Sequence, residues 1–342
     1  MDKVTLIDLL PSLESMAKRK SLTKAQRDLT YLIPAGPTGT AQWIDTAQSL
    51  SIVNRKLFSQ EKCYGISDIQ FYFQPSDAYD TLLVQASVMG DTWTVHNSWT
   101  KAKALFHEMQ ELVLADNPSV RGTWADFKVF ITGAHRTANV TGTGNLIPVD
   151  KSLPVTYFLE GEWKYARYVL PEHNVDPVTG LPLPADETYA HMIGADQGSA
   201  PNWQSVGLIN AYQESRATVQ TDDPNVPPGM STSFFNQLTD SGSQEPELAD
   251  TIENDNDRPP YDLDNYPGGG GNGAFPVIAS FDMANQASPN GHLSGFVAQC
   301  GVIQLDVVAF LNGAVVASPD VIVKVAVAPG MYKGVAAIDM GQ

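Results

Sequence analysis

Alternating apolar and polar residues predict strands over most of this chain. Residues 303, 305 and 307 are apolar and residues 304 and 306 are polar, which is typical of a strand with one wet face. Asn312-Gly313, directly after this strand, predicts a tight hairpin. Further runs rich in β-branched and aromatic residues occupy residues 66–73, 81–89, 125–132, 154–161 and 163–170. These short strands, without a βαβ rhythm, predict an all-β fold built as an antiparallel sandwich.

One segment has helical spacing instead. Between Trp99 and Ala115 apolar residues recur every three or four positions, and Asp116-Asn117-Pro118 ends the run. The pattern predicts a single helix inserted between strands. Near the N-terminus, Pro11 at a first helical position and a cationic last turn predict a short helix or arm. We therefore divide the chain into an arm over residues 1–30 and a β domain over residues 31–342.

Two stretches interrupt the strand pattern. Residues 171–203 are dense in Pro, Gly and Asp, and residues 221–273 are strongly acidic. Between Asp222 and Asp264 there are eleven carboxylates, opposed by Arg258 alone. Loops of this length are functional or disordered. We expect surface excursions facing solvent, with a flexible linker as the alternative for the acidic stretch.

Composition excludes several classes of protein. With 342 residues, 43% hydrophobic and 17% charged, the chain can bury a large core, so wholesale disorder is excluded. It has no apolar run of membrane-spanning length, and its N-terminus does not read as a classical export signal. Two cysteines far apart in sequence, Cys63 and Cys300, make neither a disulfide framework nor a metal knuckle.

The net charge of −17 is unevenly distributed. Residues 1–60 are net +3, whereas residues 171–342 are net −17. This asymmetry suggests one face able to meet polyanions and another kept soluble by self-repulsion. The basic end is a short cluster that we assign, as a hypothesis, to contact with nucleic acid: Lys18, Arg19, Lys20, Lys24 and Arg27. A solvated helix end is the alternative interpretation.

The acidic stretch is also a candidate metal site. Hard cations prefer several oxygen ligands on a flexible loop, so Asp255, Asp257, Asp262 and Asp264 are candidate ligands of a structural calcium. The order of ligands differs from that of an EF-hand, and no other cofactor is indicated. A solvated acidic surface explains the same residues without a metal.

Motifs for catalysis are missing from the sequence. It contains no G-x-S-x-G elbow and no Gly-Lys-Ser/Thr phosphate loop. His107-Glu108 lies on the predicted helix, but Glu111 stands where a zinc protease has its second histidine. Aromatic residues on the predicted strands can stack bases or sugars, but alternating positions are more typical of a sandwich core and its contacts. They are Phe71, Tyr72, Phe73, Tyr157, Trp163, Tyr165 and Tyr168. We therefore expect a protein without enzymatic activity.

Four segments resemble coat proteins of small icosahedral viruses, in particular capsid proteins of environmental viruses with circular single-stranded DNA genomes. They are residues 43–60, 93–110, 118–130 and 328–340. The resemblance covers about a third of the chain and implies an eight-stranded jelly roll, a homo-oligomeric shell in the virion and a genome-facing N-terminus. The chain departs from many such coats, which carry a strongly basic arm. Five cations per subunit neutralise few phosphates, so genome contacts by other inward residues or a separate condensing factor are the alternatives.

Three alternatives remain open at this point. A double jelly roll over an internal membrane would remove the need for a basic arm, but the helix and long loops leave little length for sixteen strands. A secreted or cell-surface β-sandwich would bind glycans or proteins through aromatic strands and acidic loops. A hydrolase on a sandwich would use carboxylates from Asp255 to Asp264 as acid and base.

Overall fold

The computed structural model describes residues 25–37, 41–122, 126–142, 144–152, 155–169, 187–199, 202–217, 266–271 and 275–341. The fold is predominantly β and its largest sheets are antiparallel, as the alternating pattern predicts. The N-terminal part contains β1 (Asp28–Ile33), β2 (Ala41–Asp45), α1 (Thr46–Asn54), β3 (Lys62–Phe73) and β4 (Thr81–Val88).

Residues 89–276, which we call the insertion, follow β4. The described elements of the insertion are α2 (Trp93–Asp116), a 3-10 turn (Pro118–Gly122), β5 (Phe130–Thr132), α3 (Gly133–Val140), β6 (Val149–Ser152), β7 (Val155–Tyr157), β8 (Arg167–Val169), β9 (Glu187–Ile193), β10 (Gln197–Ser199), β11 (Asn202–Gly207) and α4 (Leu208–Ala217). The C-terminal part contains β12 (Val277–Asn285), β13 (Asn290–Ala298), a 3-10 turn (Gln299–Gly301), β14 (Val302–Leu311), β15 (Ala314–Val316), β16 (Val321–Val327), β17 (Pro329–Tyr332) and β18 (Ala337–Asp339).

Two five-stranded sheets built from both ends of the chain form what we call the sandwich. Sheet 1 has the order β1-β16-β3-β13, and β18 pairs with β3. Sheet 2 has the order β12-β4-β14-β15, and β2 also pairs with β14. Every strand pair in these two sheets is antiparallel.

The core of the sandwich follows from the period of two along its strands. In β16, Val321, Val323, Val325 and Val327 are buried, and the residues between them are more exposed. The same alternation in β3, β4 and β14 supplies the facing side chains of one continuous hydrophobic cluster. Each such side chain stabilises the fold by about 1.5–3 kcal/mol when it is buried, so the sandwich is held mainly by these inner faces.

Side chains of β12 close one corner of the sandwich. Asp282 accepts a hydrogen bond from the backbone nitrogen of His292 at 2.8 Å, and the Ser280 hydroxyl accepts one from the backbone nitrogen of Ser294 at 3.0 Å. These two amides belong to β13, the outermost strand of sheet 1. The corner therefore satisfies edge amides that would otherwise be open to pairing with another chain.

The insertion has its own hydrophobic cluster, which reaches into the sandwich. Helix α2 begins after Thr92, whose hydroxyl accepts from the backbone nitrogen of Val95, and it buries Trp99, Ala102 and Phe106 on one side. These residues pack with β9 and β11, and the cluster extends to Trp43 of β2. The insertion thus forms a second packed unit on the sandwich.

Several predictions about the helices and sheets were wrong. The described residues contain four α-helices, not one, because α1, α3 and α4 are only eight to ten residues long, too short for an apolar repeat to be recognised in the sequence. The sheet of the insertion, with order β10-β11-β9-β5, is mixed, since β9 runs parallel to both β5 and β11. Three of the predicted strands are confirmed as strands but shrink to residues 130–132, 155–157 and 167–169.

The predicted excursions are more structured than expected. Residues 187–193 form β9, whose side chains are mostly buried, so the stretch 171–203 is partly core. Tyr266 is also buried, and its ring meets that of Trp93 at 5.6 Å. Residues 170–186 and 218–265 lie outside the described part of the chain. Among the described helices, none has the length and apolar composition that would let it cross a membrane.

Candidate functional site

Of the basic cluster, Arg27 alone lies within the described residues. Arg27 precedes β1, and its guanidinium donates to the Val327 carbonyl oxygen at 3.4 Å while Val327 donates its amide to the Arg27 carbonyl. Arg27 therefore extends the pairing of β1 with β16. Lys18, Arg19, Lys20 and Lys24 lie outside the described residues, so the nucleic-acid assignment of this cluster stays a prediction.

The calcium assignment also stays a prediction. Asp255, Asp257, Asp262 and Asp264 all lie outside the described residues. Within the part of the chain that the structure describes, no group of three or more His, Cys, Asp and Glu side chains is arranged to hold a metal ion.

The two sheets differ in the chemistry of their outer faces. On sheet 1, Lys324, Gln70 and His292 stand side by side on three adjacent strands. Asp68 lies 3.8 Å from His292, and Asp28 lies 3.8 Å from Lys324. This face carries charges of both signs, with the exposed side chains of Tyr72 and Ile322 among them, as expected for a surface in contact with water.

The outer face of sheet 2 is apolar. Met283, Leu83 and Val308 lie in register on three neighbouring strands, and Phe310 is opposite Val315 at the next turn of the pleat. We call this surface the apolar face and define it by Ile278, Phe281, Met283, Leu83, Val308, Phe310 and Val315. Phe281 is 65% exposed and Met283 is 55% exposed. Apolar patches of this kind mark interaction surfaces.

A bulge keeps β12 in line with this face. The register of β12 against β4 shifts between Ile278 and Ser280, so that Ile278 lies opposite Ser87 and Phe281 lies opposite Gln85. Both partner residues lie on the outer side of β4, because Leu82, Val84 and Ala86 belong to the core. The extra residue therefore presents Ile278, Phe281 and Met283 on the same side of the sheet.

A cleft of about 690 Å³ lies between the sandwich and the insertion. Its walls include Gln42, Gln197 and Gln304, with Trp43 and Phe275 beside them. This volume is within the range of small-ligand sites, which combine apolar walls with a few hydrogen-bonding groups. Amide groups next to aromatic rings are suited to sugars and other polyhydroxylated ligands.

Beneath this cleft, a buried polar network joins the two units. Asp45 ends β2 and caps α1, since its Oδ1 accepts from the backbone nitrogen of Gln48 at 3.0 Å. Its Oδ2 accepts from Gln60 Nε2 at 2.9 Å and from Trp163 Nε1 at 3.1 Å. Gln60 in turn exchanges two hydrogen bonds with the backbone of Val129. The carboxylate thus connects the sandwich to two segments of the insertion.

A second centre of the same network is Asn145. Its Nδ2 donates to Gln48 Oε1 and to the Tyr165 hydroxyl, both at 2.6 Å, and its Oδ1 lies 2.7 Å from His135 Nε2. The ring of His135 is stacked on Trp43 at 5.2 Å. These bonds satisfy polar groups that are removed from water, which is the condition for burying them without a large penalty.

Burial changes the acidity of this network. Loss of solvation raises the pKa of Asp45 to about 6, although the hydrogen bonds from Gln48, Gln60 and Trp163 oppose the shift. Burial also lowers the pKa of His135 to about 3, so the imidazole is neutral at neutral pH. The pKa of Lys128, whose Nζ lies 4.9 Å from the centre of the Trp163 ring, is lowered by burial as well.

An acidic pair lies in the insertion near α4. Asp196 accepts from the backbone nitrogen of Gly207 at 2.7 Å, and Glu214 accepts from Asn210 at 3.1 Å. Burial raises the pKa of Asp196 to about 6 and the pKa of Glu214 to about 7. Asp196 supports the backbone at Gly207, and the two carboxylates do not make a metal site by themselves.

The aromatic residues and the helix histidine noted in the sequence can be located in the structure. Phe71, Phe73, Tyr165 and Tyr168 are buried, as expected of core aromatics, whereas Tyr72 and Tyr157 are exposed. His107 lies 3.7 Å from Glu61 at the surface of α2. Sequence reasoning missed the Asp45 network, although Asp45 and Gln48 have the spacing of a capping box, which would have indicated the start of α1.

Comparison with known proteins gives no match, whether to family models, to curated proteins or to solved structures. Function must accordingly be inferred from the strand pairing and the surface chemistry of the chain itself.

Proposed function

We propose that this chain is a viral capsid subunit, a jelly-roll protein that assembles with copies of itself into an icosahedral shell around a genome. One observation carries the proposal. Among the eight strands β1, β2, β3, β4, β12, β13, β14 and β16, the first pairs with the eighth, the second with the seventh, the third with the sixth and the fourth with the fifth. All four pairs are antiparallel.

This nested pairing is the signature of one long hairpin wrapped into a barrel. Wrapping places the strands in the orders 1-8-3-6 and 2-7-4-5, which match the observed orders β1-β16-β3-β13 and β2-β14-β4-β12. Jelly rolls are the architecture of many viral shells, although lectins and cupins share it. The fold therefore supports the proposal, and the surface must supply the functional argument.

The surface favours assembly over catalysis. The apolar face of sheet 2 offers a contact that copies can bury, whereas the net charge of −17 makes non-specific contact unfavourable. The insertion between the fourth and fifth strands packs on the sandwich and enlarges each subunit. In this proposal the genome meets residues 1–30, including the cluster at 18–27, and the acidic stretch faces the outside.

The proposal is tested on purified recombinant protein. Light scattering after size exclusion, followed by electron microscopy, should show closed particles of uniform diameter. A strict monomer across a range of salt and pH would contradict it. Nuclease protection of co-purified nucleic acid separates a genome-filled shell from an empty one.

A second candidate function, ligand binding by a β-sandwich, is favoured by the cleft lined by Gln42, Gln197 and Gln304. A glycan array distinguishes ligand binding from shell assembly. If the chain is a ligand-binding protein, we expect a monomer that binds a defined glycan and forms no closed particles. Gln42→Ala combined with Gln304→Ala should then abolish binding without lowering stability.

A further inference from the structure

We infer that the apolar face of sheet 2 is the surface on which two copies of this chain meet. The inference deepens the proposed function, on which it rests, because it names the contact that brings subunits together. It is carried by the composition of this face, by its area and by the charge of the rest of the chain.

The composition of the face is unusual for this protein. Its outward positions lie on β12, β4, β14 and β15, and among them Asp306 is the one ionisable side chain in the described residues. Lysine and arginine are absent from these positions. The polar neighbours are short or uncharged side chains such as Gln85 and Gln304, so a flat, nearly neutral sheet surface faces outward.

The exposed apolar area is more than half of the area that one partner buries in a standard interface. Five exposed apolar side chains lie on or beside the face: Phe275 at 80%, Phe281, Met283, Ile278 and Val315. With side-chain areas of about 150–250 Å² for aromatic residues and somewhat less for the others, they present roughly 500 Å². Partly exposed Leu83, Val308 and Phe310 add to this, against the roughly 800 Å² per partner of a standard interface.

A second copy is the occupant whose chemistry matches. A face whose one described ionisable side chain is Asp306 is complementary to itself, so a twofold contact buries no charged group other than the two copies of Asp306. Burial of Asp306 raises its pKa even in the single chain, which eases protonation at a contact. Nucleic acid would require cations that this face lacks. The chain's own stretch from Asp222 to Asp264 carries eleven carboxylates, which would lose hydration against an apolar sheet.

Charge insertion tests the inference. Phe281→Asp and Met283→Asp place a carboxylate at the centre of the contact, and both side chains are exposed enough to leave the fold intact. Ile322→Asp is the matched control, because Ile322 is 47% exposed on the outer face of sheet 1. In sedimentation velocity over a concentration series, we expect the two sheet 2 variants to raise the dimer dissociation constant at least about tenfold. The control should match the wild type.

A labelling experiment identifies the occupant. Cys63 and Cys300 are buried, so Met283→Cys introduces an accessible thiol for maleimide. Labelling that slows as protein concentration rises supports a second copy. Protection that is independent of concentration would overturn the inference in favour of a segment of the same chain, and rapid labelling at every concentration would overturn it altogether. Ile322→Cys should label rapidly throughout.

Failure of this inference differs from failure of the proposed function. Closed particles that still form from Phe281→Asp would overturn the inference and leave the shell intact. Dimers that Phe281→Asp disrupts, in a protein that never forms particles, would support the inference and contradict the shell.

Discussion

The indole nitrogen of Trp163 donates to Oδ2 of Asp45 at 3.1 Å, and this bond joins the insertion to the sandwich. The same carboxylate caps α1 and accepts from Gln60, so three parts of the chain converge on one buried side chain. Such a group is costly to remove, because its partners would be left buried without an acceptor.

We expect Asp45→Ala to lower the free energy of unfolding by about 3 kcal/mol, from the lost helix cap and the unsatisfied donors. Urea denaturation followed by fluorescence measures this change. Asp28→Ala is the control, since Asp28 is exposed and its contact with Lys324 contributes less than about 1 kcal/mol. Equal effects of the two substitutions would show that the network is not a structural centre.

The same residue predicts a pH dependence. Because the pKa of Asp45 is about 6 in the folded chain and 3.8 as a free side chain, the folded state binds the proton more tightly. The contribution to stability is therefore fully present below about pH 4 and is lost as the pH rises to about 6, by roughly 3 kcal/mol. Asp45→Asn lacks this titration. The unfolding free energy of the wild type minus that of Asp45→Asn should therefore fall as the pH rises from 4 to 6.

His135 contributes with the opposite sign. Its pKa is lowered to about 3, so stability is lost as the pH falls below the ordinary value of 6.5. The wild-type curve alone mixes the two effects. A difference between wild type and Asp45→Asn that rises with pH from 4 to 6, instead of falling, would contradict the assignment to Asp45.

Gly207 predicts a steric effect. A Cβ at this position would meet the Gly194 carbonyl oxygen far inside van der Waals contact, and that oxygen is a backbone atom, which cannot rotate away as a flexible side chain could. We expect Gly207→Ala to cost about 2 kcal/mol or more. Gly313→Ala is the comparison: its Cβ points into open space, but its φ is +79°, so its cost should be about 1 kcal/mol. Thermal or urea unfolding ranks the two variants.

Salt should promote association of this chain. Copies with a net charge of −17 repel one another, and this repulsion is screened over about 10 Å at 0.1 M ionic strength. The apolar contact proposed above gains nothing from charge, so higher salt should raise the fraction of larger species in light scattering. Dissociation on adding salt would show that ion pairs hold the copies together.

The local patterns of the sequence predicted much of the sandwich. Helix α2 and the hairpin at Asn312-Gly313 are confirmed, the latter with positive φ at both residues, because these signals depend on neighbours in sequence. The strand order depends on contacts such as Asp28 with Ala326, and no local pattern reports those. The strands of the mixed sheet were either missed or predicted too long, because several of them are only three residues long.

The candidate surfaces were predicted less well. Alternation indicated one wet face in β14, yet outward Val308 and Phe310 belong to an apolar face that emerges only when β12, β4 and β15 lie beside it. Asp45 gave a local signal for capping but none for its bond to Trp163, which is 118 residues away. The nucleic-acid and calcium assignments stay predictions.

The position of the insertion has a consequence for how the chain is made. Val88, before the insertion, and Val277, after it, are register partners, so the chain leaves and re-enters the sandwich at one point. During synthesis, β1 to β4 leave the ribosome long before their partners β12 to β16 have been made. The apolar inner faces of these early strands are therefore exposed to solvent during that time. The sandwich cannot close until those later strands arrive, and the same C-terminal part of the chain completes the cluster of the insertion, which includes Cys300, Val302 and Met340.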